Sequence, residues 1–335
     1  MTVRILTGDC RDVLRTLPAE SVHCVVTSPP YWGLRDYGVA GQIGLEATPE
    51  AFTAELVGVF RELRRVLRSD GTAWLNLGDS YSGSGKGGNP EEGKQATNKG
   101  SQTIGTLYGK IGETARQAAV TNVSRRLTTE LGVAPKQLMG IPWRVAFALQ
   151  ADGWYLRQDI IWSKPNPMPE SVTDRCTKAH EYLFLLSKSE RYYFDQDAIS
   201  EDAANAGKVI SLGQKSMSKG QAAGINVAPS GNGTTDEYTV TGKRNKRSVW
   251  TVTTSPFPEA HFATFPPALI EPCVLAGCPK GGIILDPFGG AGTTGLVADR
   301  HGRNAILIEL NPEYAAMAER RIKGDGGLFS EVANA

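Results

Sequence analysis

The chain is poor in the residues that would place it in several large protein classes. Its five cysteines (Cys10, Cys24, Cys176, Cys273 and Cys278) are odd in number and form no CxxC pair, and its four histidines are scattered. A disulfide framework and a structural zinc site are both unsupported by that pattern, so reduced thiols and no metal are expected. No apolar run approaches the roughly 20 residues of a membrane helix. Met1-Thr2-Val3-Arg4 leads into a strand and not into a signal peptide, so a cytoplasmic protein without a membrane partner is expected. Net charge is only +1, and an acidic partner must therefore be met by local patches. What is present is ordinary globular composition, 40% apolar and 21% charged, over 335 residues. That length suits one large α/β domain with insertions, or two small domains.

The stretch Thr27-Ser28-Pro29-Pro30-Tyr31-Trp32 follows a β-branched run, Ser21 to Val26, that reads as a buried strand. Two prolines cannot continue a sheet ladder, and each pushes its predecessor into extended geometry. The chain must leave the strand as a stiff lip bearing the Ser28 hydroxyl, carbonyls and the Tyr31 ring. Such a lip can hold a planar, amine-bearing ring by stacking and by accepting its N–H protons. The plain alternative is a surface turn.

Arg4 to Asp9 reads as an opening strand, and a helix from Asp12 to Leu17 follows. Asp9 stands either at a ligand-binding strand end or as the cap of that helix. Phe52, Leu56, Val59, Phe60, Leu63, Val66 and Leu67 line one face of a helix over 48–67, stopped by Ser69-Asp70-Gly71. A strand is predicted at 72–77, a helix at 141–149, and strands at 154–162 and 181–187. Between the last two lies the proline-set loop Lys164 to Pro169. Residues of about 80–134 are polar and aperiodic. Ser82 to Gly88 imitates a phosphate loop without its strand–helix frame and reads as part of a flexible insertion. A second polar region spans 201–250. From Ala203 to Trp250 it carries seven basic residues against Asp236 and Glu237, a local charge of +5. Such long insertions often carry recognition.

Gly282 to Asp286 is a strand, followed by Pro287-Phe288-Gly289-Gly290-Ala291-Gly292-Thr293-Thr294-Gly295, a helix at 296–300 and a strand ending in Glu309. Gly290-x-Gly292-x-x-Gly295 with Glu309 downstream fits a nucleotide-binding fingerprint, and NAD or FAD is a serious competitor. Asp286 at the head of the turn is poorly placed for a pyrophosphate, and no second nucleotide half follows. An adenosine with a charged amino-acid tail, S-adenosylmethionine, suits these residues better.

The lip together with Asp286-Pro287-Phe288-Gly289-Gly290-Ala291-Gly292-Thr293-Thr294 resembles the amino-methylating DNA methyltransferases of cytosine N4 and adenine N6. The order, catalytic motif first, is similar to their circularly permuted β class. Ile160 to Pro165, His180 to Phe184 and His261 to Pro266 resemble further family motifs. The resemblance implies a Rossmann-like, seven-stranded, largely parallel sheet with helices on both faces. It divides the chain into a catalytic half at 1–200, a DNA target-recognition insertion at 201–250, a cofactor half at 251–325 and a tail at 326–335. It implies that Asp286, Phe288, Gly290, Gly292 and Thr293 line the methionine side of the cofactor and that Glu309 holds the ribose. Asp9 would reach the adenine edge, with Thr264 and Phe265 flanking the cofactor. Ser28, Pro29, Pro30 and Tyr31 would hold a base flipped from duplex DNA. Lys243, Arg244, Lys246 and Arg247 would meet phosphates.

Serine at the head of the lip is similar to the cytosine-N4 group, which is favoured over adenine-N6. An RNA or small-molecule amine methyltransferase and a catalytically dead DNA-binding protein stay open. The resemblance also admits a homodimer and a cognate restriction endonuclease that is not bound. Pro272-Cys273 imitates the nucleophile of cytosine-C5 enzymes but sits in an apolar helical run, and a packed core thiol is expected.

Overall fold

The computed structural model describes all residues except 35–36, 83–132, 135, 204–208, 212–226, 230–236, 241, 256–263, 327–330 and 335. The phosphate-loop look-alike, nearly all of the 80–134 insertion and His261 to Ala263 therefore lie outside the described residues.

The chain opens with β1 (Thr2–Thr7), α1 (Cys10–Thr16), β2 (Val22–Thr27), α2 (Pro49–Val66) and β3 (Leu67–Leu77). Next come α3 (Ile141–Ala151), β4 (Tyr155–Ser163) and β5 (His180–Ser187). The second polar region contributes β6 (Glu201–Asp202), β7 (Val209–Ser211), β8 (Val227–Pro229), β9 (Glu237–Val240) and β10 (Lys243–Arg244). The remainder is β11 (Val249–Thr251), α4 (Pro267–Gly277), β12 (Ile283–Asp286), α5 (Thr293–Arg300), β13 (Asn304–Glu309), α6 (Pro312–Gly326) and β14 (Glu331–Asn334).

Among the described residues one sheet runs β11-β4-β5-β3-β2-β12-β13-β1-β14. Every pairing in it is parallel except those of β5 with β3 and with β4. The seven expected strands form its centre, and β11 and β14 add an edge on each side. The expected tail is thus partly a strand, with Val332 paired to Val3.

Strands buried on both faces feed two cores. Val25 and Leu75 face α1, α2 and α3, whereas Cys24, Val26 and Trp74 face α4, α5 and α6. α2 is capped by Thr48, whose hydroxyl accepts from Ala51 N at 3.0 Å, and it starts on Pro49. Its predicted stripe is entirely buried. The predicted stop behaves differently. Helix passes directly into strand at Leu67, and Ser69 to Gly71 form a bulge, because Val22 pairs with Leu67 while Cys24 already pairs with Thr72.

The site is positioned by a reversal of winding. From β2 the chain crosses to β3 through α2 on one face, and from β12 it crosses to β13 through α5 on the other. The carboxyl ends of β2 and β12 therefore flank a crevice of the kind where open α/β sheets bind ligands.

α4 lies close against this sheet at Gly277, where a Cβ would come within 2.7 Å of Thr72 Oγ1 and Trp74 Nε1. Gly277→Ala is expected to lower the unfolding free energy by about 1–3 kcal/mol. A urea titration would read this as a lower midpoint at unchanged slope.

Candidate active site

The two sequence motifs meet at the crevice through one carboxylate. Asp286 ends β12 and is only 1% exposed. Its Oδ1 accepts from Thr27 Oγ1 at 2.7 Å and Phe288 N at 3.1 Å, and its Oδ2 accepts from Thr294 Oγ1 at 2.6 Å. Thr27 immediately precedes the lip and Thr294 lies in the first turn of α5. The side chain expected to line the methionine pocket thus joins lip, turn and helix.

The glycines also serve packing more than the sequence implied. Gly290 adopts φ +50°, and its N–H reaches Glu309 Oε2 at 2.7 Å. Gly292 adopts φ +75°, and a Cβ there would meet Ala318 Cβ at 2.8 Å. Thr293 is buried and its hydroxyl accepts from Arg321 at 2.9 Å; the same guanidinium also donates to Ala291 O. Arg321 thus braces the turn, a role no local pattern announced.

Asp9 resolves toward its alternative reading. It is the N-cap of α1, accepting from Arg11 N at 2.9 Å, and it holds the Arg11 guanidinium. That contact keeps its carboxyl below the usual range. Arg11 reaches on to Gly41 O and Glu55, tying down the loop after the lip.

Glu309 is half-buried at the end of β13, and burial raises its carboxyl. One oxygen accepts from Gly290 N and the other from Asn311 N at 2.9 Å, leaving a lone pair on each for hydroxyl donors. Phe288 packs on the same core cluster as Tyr31, while Phe265 packs on the cluster of the opposite face. Thr264 and Phe265 directly precede α4.

The neighbouring strands β12 and β13 end in Asp286 and Glu309, and Asp9 lies two residues past the end of β1. Of these, Glu309 keeps lone pairs for ribose hydroxyls, and its carboxylate beside the Gly290 turn disfavours a pyrophosphate there. The residues present fit S-adenosylmethionine and not a dinucleotide.

On the lip Ser28 Oγ lies 3.3 Å from Asn76 Oδ1. The Tyr31 hydroxyl lies 2.7 Å from Glu181 Oε2 and 3.2 Å from Asn76 Oδ1. Burial, and then the charge of Glu181, push the phenol well above its ordinary value. The Tyr31 ring rests on Gly78, where a Cβ would fall 2.5 Å from Cε2. Pro30 packs beside Gly44, and Trp32 is buried with its indole N–H on Glu46 O at 2.9 Å. Glu181 and Lys164 belonged to motifs noticed in the sequence without a role, and Asn76 to a strand.

The basic cluster is less free than its composition implied. Lys243 pairs with Asp202 at 2.8 Å, Arg244 with Glu201 at 3.4 Å and Lys246 with Glu201 at 3.3 Å. Glu201 and Asp202 lie just before the +5 stretch that begins at Ala203, and they meet the cluster across the β6–β10 pairing. Arg247 is exposed and has no ion pair among the described residues. Cys273 is fully buried as expected, with burial raising its thiol. Among the described residues no group of side chains could hold a metal and no helix could cross a membrane.

The family model of the DNA methylases, the N6/N4 methyltransferases, matches residues 22–320. This chain is a member of that family. Type II methyltransferase M.Cfr9I of Citrobacter freundii is 44% identical over 98% of this chain and 90% of its own length. M.SmaI of Serratia marcescens is 44% identical over 95% of this chain and 90% of its own. Among solved structures, the cytosine-N4-specific PvuII DNA methyltransferase matches 96% of this chain and 87% of its own, with TM-score 0.59 and 18% identity. The Thermus thermophilus protein TTHA0409, complexed with S-adenosyl-L-methionine, matches 99% of both chains with TM-score 0.54 and 23% identity. The methylase is thus an amino-methylating DNA methyltransferase whose cofactor is S-adenosylmethionine.

Burial raises the Asp286 carboxyl from 3.8 to about 6. The folded methylase then binds this proton more tightly than the unfolded chain does. The contribution of Asp286 to stability is therefore greatest below pH 4 and falls as pH rises through 6, by about 3 kcal/mol at most. Melting curves of wild type and Asp286→Asn should converge or cross in that direction between pH 4 and 6; a constant difference would contradict this.

Proposed function

We propose that the methylase modifies the N4 amine of cytosine in duplex DNA, as the modification half of a type II restriction–modification system. The observation that carries this reading is the acceptor set at the crevice, where the lip begins with a hydroxyl whose geometry is fixed by an amide. Ser28 directs its proton to Asn76 Oδ1. Its lone pairs are then left for an incoming N–H.

The target base must leave the stack, which costs a few kcal/mol. Tyr31 takes one face of the flipped ring, while Ser28 Oγ and the Pro29 carbonyl accept the two amine protons. Those bonds draw the nitrogen lone pair out of ring conjugation and fix its direction. S-adenosylmethionine supplies the methyl group from a sulfonium. Glu309, the Gly290 turn and Phe288 hold the cofactor, with Thr264 and Phe265 beside it. The rate then comes from orientation and a preorganised polar site, without a covalent enzyme intermediate. Cys273 has no part in it.

Recognition of the DNA sequence is assigned to the 201–250 region. Arg247 contacts phosphate directly. Lys243, Arg244 and Lys246 are in solvent-screened surface ion pairs that contribute little, so phosphate can compete for them.

Ser28→Ala and Tyr31→Ala should each lower kcat by roughly 100-fold or more while leaving cofactor affinity within about threefold. Tritiated-methyl transfer to unmethylated duplex DNA and cofactor titration read the two quantities. Mass spectrometry of the digested product should find N4-methylcytosine; N6-methyladenine would overturn the choice of base, and full activity of both variants the assignment of the site.

A further inference from the structure

The polar groups of the lip are held by residues far away in sequence. Glu181 Oε2, on β5, receives the Tyr31 hydroxyl at 2.7 Å and Asn76 Nδ2 at 3.3 Å. Its other oxygen is paired with Lys164, and both side chains are largely buried, at 16% and 17% exposure. Lys164 Nζ in turn lies 4.2 Å from the centre of the Trp162 ring. The acid is therefore neither loose nor unpaired, and its position is set by two strands, β4 and β5.

Two consequences follow from hydrogen-bond chemistry. A phenol has one proton, and the nearer acceptor is Glu181, so that bond fixes where the oxygen end of the ring sits, while Gly78 lies against the ring itself. An amide has a donor end and an acceptor end. Asn76 Nδ2 is directed at Glu181 Oε2 and Tyr182 O, which leaves Oδ1 to face Ser28. Without Glu181 the amide would lose one of its two anchors, and Ser28 its fixed acceptor.

We propose that Glu181, neutralised by Lys164, is a positioning residue for methyl transfer that anchors the hydroxyl end of Tyr31 and, through Asn76, the direction of the Ser28 hydroxyl. It touches neither base nor cofactor. This rests on the reading of Ser28 and Tyr31 as base contacts, which their own variants test separately.

The experiment measures kcat, the KM for PCR-amplified unmethylated genomic DNA, and cofactor affinity for a small set of full-length variants. Glu181→Ala should lower kcat by roughly tenfold or more, with DNA KM and cofactor affinity within about twofold. Glu181→Gln, whose amide oxygen can still accept from Tyr31 and Asn76, should recover most of that loss. Tyr31→Phe alone should be slow, yet added to Glu181→Ala it should cost much less than it does alone, because the phenol's nearer partner is already gone and only Asn76 Oδ1 is left. An unchanged kcat in Glu181→Ala, additive losses in the double variant, or an effect confined to DNA KM would each overturn the proposal. Should Glu181→Ala fail to melt cooperatively, a slow Tyr31→Phe beside a fast Glu181→Gln supports it, and any other pairing overturns it. If Ser28→Ala and Tyr31→Ala lose transfer while Glu181→Ala keeps it, the positioning role alone is wrong.

Discussion

A buried carboxylate joins the two halves of the methylase. Asp286 is out of contact with water and accepts three hydrogen bonds, from Thr27 at the root of the lip, from Thr294 in the helix after the glycine turn, and from Phe288 N within that turn. Moving a carboxylate out of water is expensive, and the raised pKa of about 6 records that cost. Three donors offset it only while all are in place. The arrangement therefore makes the position of the lip and that of the cofactor turn interdependent, although 259 residues separate Thr27 from Asp286.

Around that joint the sheet supplies direction. β2 and β12 pair at just Cys24–Ile284 and Val25–Leu285 before both strands end and their chains diverge to opposite faces. Ser28, Asn76 and Glu181 stand at β2, β3 and β5 on one side of that boundary, and Asp286 and Glu309 at the ends of β12 and β13 on the other. A reaction between a base and a sulfonium needs two partners brought together in one orientation, and much of its barrier can be met by that alone. In the proposed reaction the division of the sheet at the β2–β12 boundary supplies that orientation.

Local signals in the sequence were read correctly where local physics decides. The stripe of α2, the proline lip, the glycine turn and the centre of the sheet all follow from periodicity or from backbone limits on proline and glycine. The capping alternative for Asp9 was equally local, and Arg11 two residues on tipped the balance. Other features depend on partners distant in the chain. Asn76 and Glu181 look like ordinary strand residues until β3 pairs with β5 and brings them together beneath Tyr31. Arg321 looks like a surface cation of α6 until it reaches Thr293. Glu201 and Asp202 neutralise the basic cluster only because β6 pairs with β10. The glycines were legible as a turn, yet the tight approach of Gly292 to Ala318 is a matter of helix packing that the motif does not contain.

The central claim is that Asp286 holds the lip in register with the cofactor turn, and Thr27→Val addresses it most directly. Valine keeps the shape of the side chain and removes the one hydroxyl that joins the lip to Asp286. Single-turnover methyl transfer to duplex DNA should slow by roughly tenfold or more while cofactor affinity changes little. A transfer rate equal to wild type, in a variant that folds and binds cofactor normally, would contradict the account.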